Sequence, residues 1–348
     1  MSERATILVT GASGFFGSIL QKRLLDEGYA VVNIDLQTDS MRHPNLISVK
    51  GDIRDKTLVN ALFAKHQFKA VMHCAAMLAH EIKDDRLLWE SNVDGTRNIV
   101  ASAVAAHVSN LVFISSNCLW GNAFCREVTE EDIPAPVELY GKSKWAAENI
   151  LMEYKKDINV AILRTPTIIE AGRLGLLSIL FEFIAEGRKV WVVGNGANRY
   201  QFIAATDLAQ ACLLLMDHTQ SDVFNIGSDS VKSFREVYEF VINKAGTGAR
   251  VASLPKAPTL LAMRCAYHLG FSPLGPYQYK MIAEDFIFNT SKLKRALQWR
   301  PTLTNEEILW RAYEYYKTNR AAIEARQDVS AHRRNAPMGI IRLLKWLS

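Results

Sequence analysis

Residues 6–17 read TILVTGASGFFG: an apolar run, a turn carrying three glycines, and the start of an amphipathic stretch. A short β-branched run is a buried strand, and Gly17–Glu27 repeats its apolar residues at helical spacing. Glycines at 11, 14 and 17 allow a tight turn. They also let backbone N–H groups approach a pyrophosphate at the helix N-terminus, where the helix dipole favours negative charge. The unit reads as strand, phosphate-binding turn and helix. Gly28 then closes the helix as a left-handed C′ residue.

This first unit opens an alternating series. Ala5–Val9, Ala30–Asp35, Ile47–Val49, Ala70–Cys74 and Leu111–Ser115 have the composition of buried strands, and Gly17–Glu27, Lys56–Lys65 and Glu90–Ala106 that of helices. A helix around Tyr140–Tyr154 and a strand Val160–Arg164 follow. Strands that alternate with helices are parallel and joined by crossovers, so the expected fold class is α/β, a Rossmann-type doubly wound parallel sheet. Its 348 residues are about two domains' worth. Residues 1–166 form the expected nucleotide domain, with 200–227 (Tyr200–Met216 and Phe224–Gly227) returning to the main sheet. Segments 167–199 and 228–317 form a smaller, discontinuous lobe for substrate, and 318–348 a tail. Leu174–Ile184 reads as a buried or interface helix.

Composition removes several classes. The net charge of +5 comes without a long Lys/Arg run before the tail, so nucleic acid is not an expected partner. Five scattered cysteines without a C-x-x-C pair form neither a disulfide framework nor a zinc site; no metal is expected. No apolar run reaches 18 residues, and the N-terminus lacks a signal-peptide layout. A cytoplasmic protein with reduced thiols is the expectation.

The spacing of the turn is G-x-x-G-x-x-G, one residue longer than the usual dinucleotide fingerprint. Asp35 ends the second strand, placed to accept both hydroxyls of an adenosine ribose and to repel a 2′-phosphate. Leu36 and Gln37 follow it rather than Arg, so NAD(H) is preferred to NADP(H). Downstream, Tyr140-Gly141-Lys142-Ser143-Lys144 puts Tyr140 and Lys144 on one helix face. A tyrosine of ordinary pKa near ~10 is a poor base, but a neighbouring ammonium favours the phenolate. Ser115 and Ser116 end a buried strand at the sheet's carboxyl edge, where a hydroxyl can orient a reacting oxygen.

Together, TGASGFFG, Asp35, GDIRD (51–55), HCAAM (73–77), SNVDGT (91–96), SSNCLWG (115–121) and YGKSK (140–144) resemble the extended short-chain dehydrogenase/reductase family. GNGANRYQFIAATDLAQA (194–211), FNIGS (224–228) and NTSKLKRALQWRP (289–301) extend the resemblance to about residue 317. That family holds nucleotide-sugar epimerases, dehydratases and reductases, and 3β-hydroxysteroid dehydrogenases. The resemblance implies Tyr140 as acid/base, Lys144 as the residue that lowers its pKa and holds the nicotinamide ribose, and Ser116 as the substrate-binding hydroxyl. It further implies cofactor contacts at Gly11, Ser13, Gly14, Phe15, Phe16 and Gly17 in the turn, and at Asp35. Asp52 and Ile53 flank the adenine, Ala75, Ala76 and Met77 line the cofactor, and Asn92 lies near its nicotinamide end. Ser115, Thr165, Pro166 and Thr167 complete the set. A homodimer built on a four-helix bundle is common in such proteins, and the apolar faces of Glu90–Ala106 and Lys142–Met152 are compatible with one.

Dehydratases of the family carry Asp-Glu after the catalytic hydroxyl. Asn117 and Cys118 stand there and supply no acid, which leaves oxidation, reduction or epimerisation of a secondary alcohol. Leu78, His80, Asn117 and Arg199 are the candidate substrate contacts, with Arg199 a candidate for a phosphate. A nucleotide sugar is the preferred substrate. A 3β-hydroxysterol or other lipid alcohol is the alternative, supported by Thr167 where Asn is usual and by the apolar wall Met77-Leu78-Ala79. A non-catalytic NAD-binding protein is a third reading. The tail MGIIRLLKWLS puts Ile340, Leu343, Leu344 and Leu347 on one helical face beside Arg342 and Lys345. Residues 336–348 can therefore lie in a membrane interface, making the protein peripheral at its inner face, or dock on the protein itself.

Overall fold

A computed structural model describes residues 4–78, 84–121, 124–269, 279 and 281–324. The first half runs β1 (Thr6–Thr10), α1 (Phe15–Asp26), β2 (Ala30–Asp35), β3 (Leu46–Lys50), α2 (Lys56–Lys65), β4 (Ala70–His73), α3 (Asp85–Trp89), α4 (Gly95–Ala105), β5 (Asn110–Ser116), α5 (Leu139–Glu153) and β6 (Asn159–Thr165). Then come β7 (Thr167–Ile169), α6 (Leu177–Ala185), β8 (Lys189–Val193), β9 (Phe202–Ala204), α7 (Ala205–Leu215) and β10 (Asp222–Asn225). The chain continues through α8 (Phe234–Ala245), β11 (Arg250–Leu254), α9 (Lys256–His268), α10 (Ser291–Leu297) and α11 (Asn305–Glu324).

Seven parallel strands form the main sheet in the order β10-β6-β5-β4-β1-β2-β3. The direction of strand addition reverses between β1 and β4, and the crevice outside the carboxyl ends at that point is where open α/β sheets bind ligands. Both faces are covered, so the central strands are apolar over most of their length. On one face, Leu20 and Leu24 of α1 pack with Leu208, Cys212 and Leu215 of α7 over Ile7, Val9 and Met72. On the other, α2, α4 and α5 bring Val59, Ile99, Val100, Ala147 and Leu151 against Leu8, Val32 and Phe113. Helix α1 ends as its sequence requires. Gly28 has φ +87°, its N–H donates to the Leu25 carbonyl, and the Tyr29 N–H donates to that of Leu24, a Schellman closure.

Two expectations are corrected. The helix expected over Glu90–Ala106 starts earlier and is interrupted. Asp84 caps α3, a π-helical turn covers Glu90–Asp94, and α4 follows. Of the stretch expected to return to the main sheet, α7 and β10 do so but β9 does not. The ladder position beside β6 is taken by β10 (Asp222 opposite Ala161), and β9 pairs instead with β7, which leaves the sheet after Pro166.

Helices α6, α8 and α11 gather around a separate core. Phe181 and Ile184 of α6, Val237 and Val241 of α8, and Tyr313 and Tyr316 of α11 meet there, beside the short ladders β8·β11 and β7·β9. The expected buried helix at 174–184 is α6, with Ile179, Phe181, Phe183 and Ile184 all buried. Helices α4 and α5 bury most of their apolar residues inside the protomer, leave Ala101, Val104, Ala146 and Met152 half-buried, and turn Arg97, Lys142, Asn149 and Glu153 outward. No helix among the described residues is long and apolar enough to cross a membrane. The 336–348 segment lies outside the described residues.

Candidate active site

At the switch point the glycine turn sits against the exit of β4. Gly11 has φ +73°, and a Cβ there would lie 2.7 Å from the Ala75 backbone. A Cβ on Gly17 would lie 2.2 Å from the Gly11 carbonyl oxygen, so the helix can reach the turn only without one. Gly14 caps α1 with no side-chain bond, and no acid occupies the first turn. That leaves the positive end of the dipole to the phosphates of a dinucleotide. Phe15 and Phe16 follow as buried residues of α1, with the Arg173 guanidinium over the Phe15 ring.

Asp35 closes β2 beside this turn. Its carboxylate accepts the Ser13 and Gln37 N–H groups, each at 2.9 Å. Burial raises its pKa, backbone donors oppose the rise, and Asp39 adds to it. Asp39 is a second acidic group that the spacing argument missed. It is buried, and its carboxylate accepts from Gln21 Nε2, Asn33 Nδ2 (3.3 Å) and the Met41 N–H (2.8 Å). Asn33 in turn accepts the Ala12 N–H and donates to Ser13 Oγ. The loop after β2 is thus tied to the glycine turn by a buried polar network. Such a doubly acidic wall suits a ribose with free hydroxyls and opposes a 2′-phosphate. Burial alone would raise the Asp52 carboxyl, but Arg54, bonded to it at 2.7 and 2.9 Å, holds it below the usual range. Ile53 is buried against Gly95 at the start of α4.

The exit of β4 is fixed by a hydrogen-bonded chain. Thr10 Oγ1 accepts the Ala75 N–H and meets His73 Nδ1 at 2.7 Å; His73 Nε2 meets Thr96 Oγ1 at 2.9 Å. The Thr96 hydroxyl donates its one proton to the Asn92 carbonyl, so Nε2 carries the imidazole proton and Nδ1 accepts from Thr10. His73 is therefore neutral, in keeping with burial and Lys144 pressing its pKa down to about 3. Asn92, in the π-helical turn, accepts the Met77 N–H and donates to the Met77 carbonyl and to Ser143 of α5. Ala75, Ala76 and Met77 are thereby held along the expected cofactor path. Leu78 is half-buried beside them.

Tyr140 and Lys144 lie one turn apart on α5. Lys144 is 2% exposed, and its ammonium sits 3.8 Å from the centroid of the Phe113 ring in β5. Burial lowers its pKa to about 7, while Glu148, Cys74 and Cys118 pull the other way. The lysine thus stands where β4 and β5 end. Burial pushes the Cys74 thiol up to about 12, so it stays protonated. Behind Lys144, Glu148 and Arg164 form an ion pair at 2.8 Å with both side chains almost wholly buried. The Arg164 guanidinium also lies over Trp120 and Trp145.

Ser116 ends β5, with its Oγ accepting the Cys118 N–H. The buried Ser115 hydroxyl has no partner among the described residues. Left unpaired, such a group costs about 1–3 kcal/mol, a cost that a ligand group at the strand end removes. Thr165 donates to the Ser115 carbonyl, and beyond Pro166 the Thr167 hydroxyl faces the Met281 sulfur.

The expected substrate contacts fare differently. His80 lies outside the described residues. Asn117 is buried and donates to the Tyr200 hydroxyl, which ties the catalytic turn to the second core. Arg199 is half-exposed, 3.8 Å from Asp285, and lines a pocket of about 330 Å³ with Gln201, Ser228 and Lys294. Its neighbour Tyr200 meets Asn117, the residue after Ser116. Among the described residues, no group of His, Cys, Asp and Glu could hold a metal.

Comparison with known proteins agrees with this geometry. The model of the NAD dependent epimerase/dehydratase family matches residues 7–227. An uncharacterised Sinorhizobium fredii protein, y4nG, is 36% identical over 98% of this chain and 86% of its own. UDP-glucose 4-epimerase of Rhizobium meliloti is 26% identical over 89% of this chain and 96% of its own. Among solved structures, UDP-glucose 4-epimerase of Thermotoga maritima with UDP-glucose has a TM-score of 0.75 at 22% identity, covering 90% of this chain and 99% of that one. WbmG of Bordetella bronchiseptica in complex with NAD also has a TM-score of 0.75, at 21% identity, covering 91% and 95%. The chain belongs to the NAD-dependent epimerase/dehydratase family, and NAD is its cofactor.

Proposed function

We propose that this enzyme is an NAD-dependent nucleotide-sugar epimerase, inverting a carbon that carries a secondary hydroxyl on a UDP-linked sugar. The observation that carries it is the buried Lys144, one turn after Tyr140 and at the carboxyl ends of β4 and β5. A protonated Lys144, one turn after Tyr140 on the same helix, favours the phenolate form of that tyrosine and so lets it act as the base. Tyr140 takes the hydroxyl proton from the sugar, and Ser116 holds the same oxygen through its hydroxyl. NAD held along the Gly11–Gly17 turn and the Ala75–Met77 segment would supply the hydride acceptor and donor for that carbon. Tyr140 gives the proton back once the keto sugar has presented its other face, so the cycle consumes no net redox equivalent.

Elimination of water needs an acid beside Ser116, and Asn117 and Cys118 cannot supply one. Relatives such as UDP-arabinose 4-epimerase 1 of Arabidopsis thaliana and UDP-glucose 4-epimerase of Rhizobium meliloti favour a sugar nucleotide over a sterol or lipid alcohol. Any homodimer through α4 and α5 would bring Arg97, Asn149 and Glu153 to its seam together with the half-buried Val104 and Met152. A panel of UDP-, GDP- and dTDP-sugars followed by proton NMR tests the reading. One UDP-sugar should reach an equilibrium mixture of two epimers without accumulating NADH, and Tyr140→Phe should slow this at least about a hundredfold. Turnover of a 3β-hydroxysterol with none of any nucleotide sugar would sink it.

A further inference from the structure

Helix α9, 13 residues long, is less buried than the other described helices of eight or more residues. Ala266 is its one buried residue. Thr259, Leu260 and Met263, with Ala266, form the side turned toward the protein. At 100° per residue, Pro258, Leu261, Ala262, Cys265 and Leu269 share the opposite side. All five are exposed, Leu261 by 63% and Leu269 by 68%. The outward side thus carries five apolar residues with Arg264 and His268 along one edge, whereas the usual surface helix is charged across its outer side.

The charge around this stripe has one sign. Lys256, Arg264 and His268 are the titratable side chains of α9 apart from Cys265 and Tyr267. No Asp or Glu occurs between Glu239 and Glu284, a stretch that also contains Lys244, Arg250 and Lys280. An apolar face bordered by cations fits an anionic lipid surface, in which side chains such as Leu261 and Leu269 enter the acyl boundary while the basic groups meet phosphates. A second copy fits less well. Packing two such stripes together would bring Lys256 and Arg264 of both chains to one seam with no acid on the helix to pair them. The sequence supplies a second basic apolar element, the tail with Ile340, Leu343, Leu344, Arg342 and Lys345, and stable peripheral binding takes two such signals.

We propose that α9 is a membrane-surface contact: its Pro258–Leu269 stripe rests on a bilayer containing anionic lipid. None of its residues belongs to the cofactor or catalytic set, so the surface can be altered without touching the chemistry. The test is co-sedimentation of the full chain with phosphatidylcholine vesicles with and without phosphatidylglycerol. Binding is expected to the anionic vesicles, weakened at high salt, and reduced about tenfold by Leu261→Glu with Leu269→Glu, with NADH affinity unchanged as a control for folding. Equal vesicle binding by the double variant would assign the contact to the tail and overturn the proposal. So would an absence of binding to anionic vesicles. A loss of self-association in the double variant, in place of a loss of lipid binding, would make a second copy the occupant.

Discussion

Lys144 shows what the chemistry costs the fold. In the unfolded chain this lysine keeps its proton to about 10.5, whereas in the folded protein burial makes it release the proton at about 7. Between those values the unfolded state binds the extra proton, so stability rises with pH from 7 toward 10. Below 7 the penalty is complete, on the order of 5 kcal/mol. Lys144→Met removes it. The variant should therefore melt above the wild type at neutral pH in calorimetry, with the gap closing as pH approaches 10, and it should lose turnover. A lower melting temperature would mean that the ammonium is net stabilising where it sits. The Glu148–Arg164 pair behind it is a weak source of stability in itself, since burying both charges offsets their attraction. Its consequence is local: an ionised Glu148 favours the charged form of Lys144. Tyr140 and Lys144 were legible in the sequence because i,i+4 spacing is a property of one helix. The Asn117–Tyr200 bond was not, since its partners lie 83 residues apart and meet only through packing.

At the level of elements, the strands and first helices follow directly from period and punctuation, and α2 has the expected bounds of Lys56–Lys65. The failures have physical causes. A π-helical turn needs one extra residue accommodated by tertiary bonds, here those of Asn92 to Met77 and Ser143, and helical periodicity alone carries no sign of it. The loop after β2 likewise has no period. Its order comes from Gln21, Asn33 and Asp39, three residues that look like surface polars until the fold buries them. Asp39 then lies close enough to Asp35 to raise its pKa. Asp39→Asn should leave NADH affinity within about twofold and tighten NADPH binding about tenfold, as measured by fluorescence titration. An unchanged ratio of the two affinities would leave Asp35 to discriminate without Asp39. Tighter binding of NADPH than NADH by the wild type would instead contradict the NAD preference itself.

Across the whole molecule, the doubly wound order puts the glycine turn, the β4 exit and the Lys144 helix around one crevice, although their residues span 11–167 of the chain. That convergence follows from alternation alone, which is why fold class and cofactor site could be reasoned before any coordinates. The second core could not, because β7 and β9 pair with each other by default once β10 has filled the edge of the sheet. The Asn117–Tyr200 bond joins the two cores at the turn that carries Ser116. The central claim is that hydride leaves the sugar and returns to the same carbon within one catalytic cycle. It is tested most directly with a UDP-sugar deuterated at the carbon that is inverted, incubated with the enzyme and NAD in ordinary water and read by NMR and mass spectrometry. Both epimers should keep the full label at that carbon, with no label in free NADH. Loss of deuterium to solvent, or its accumulation in released NADH, would contradict the claim.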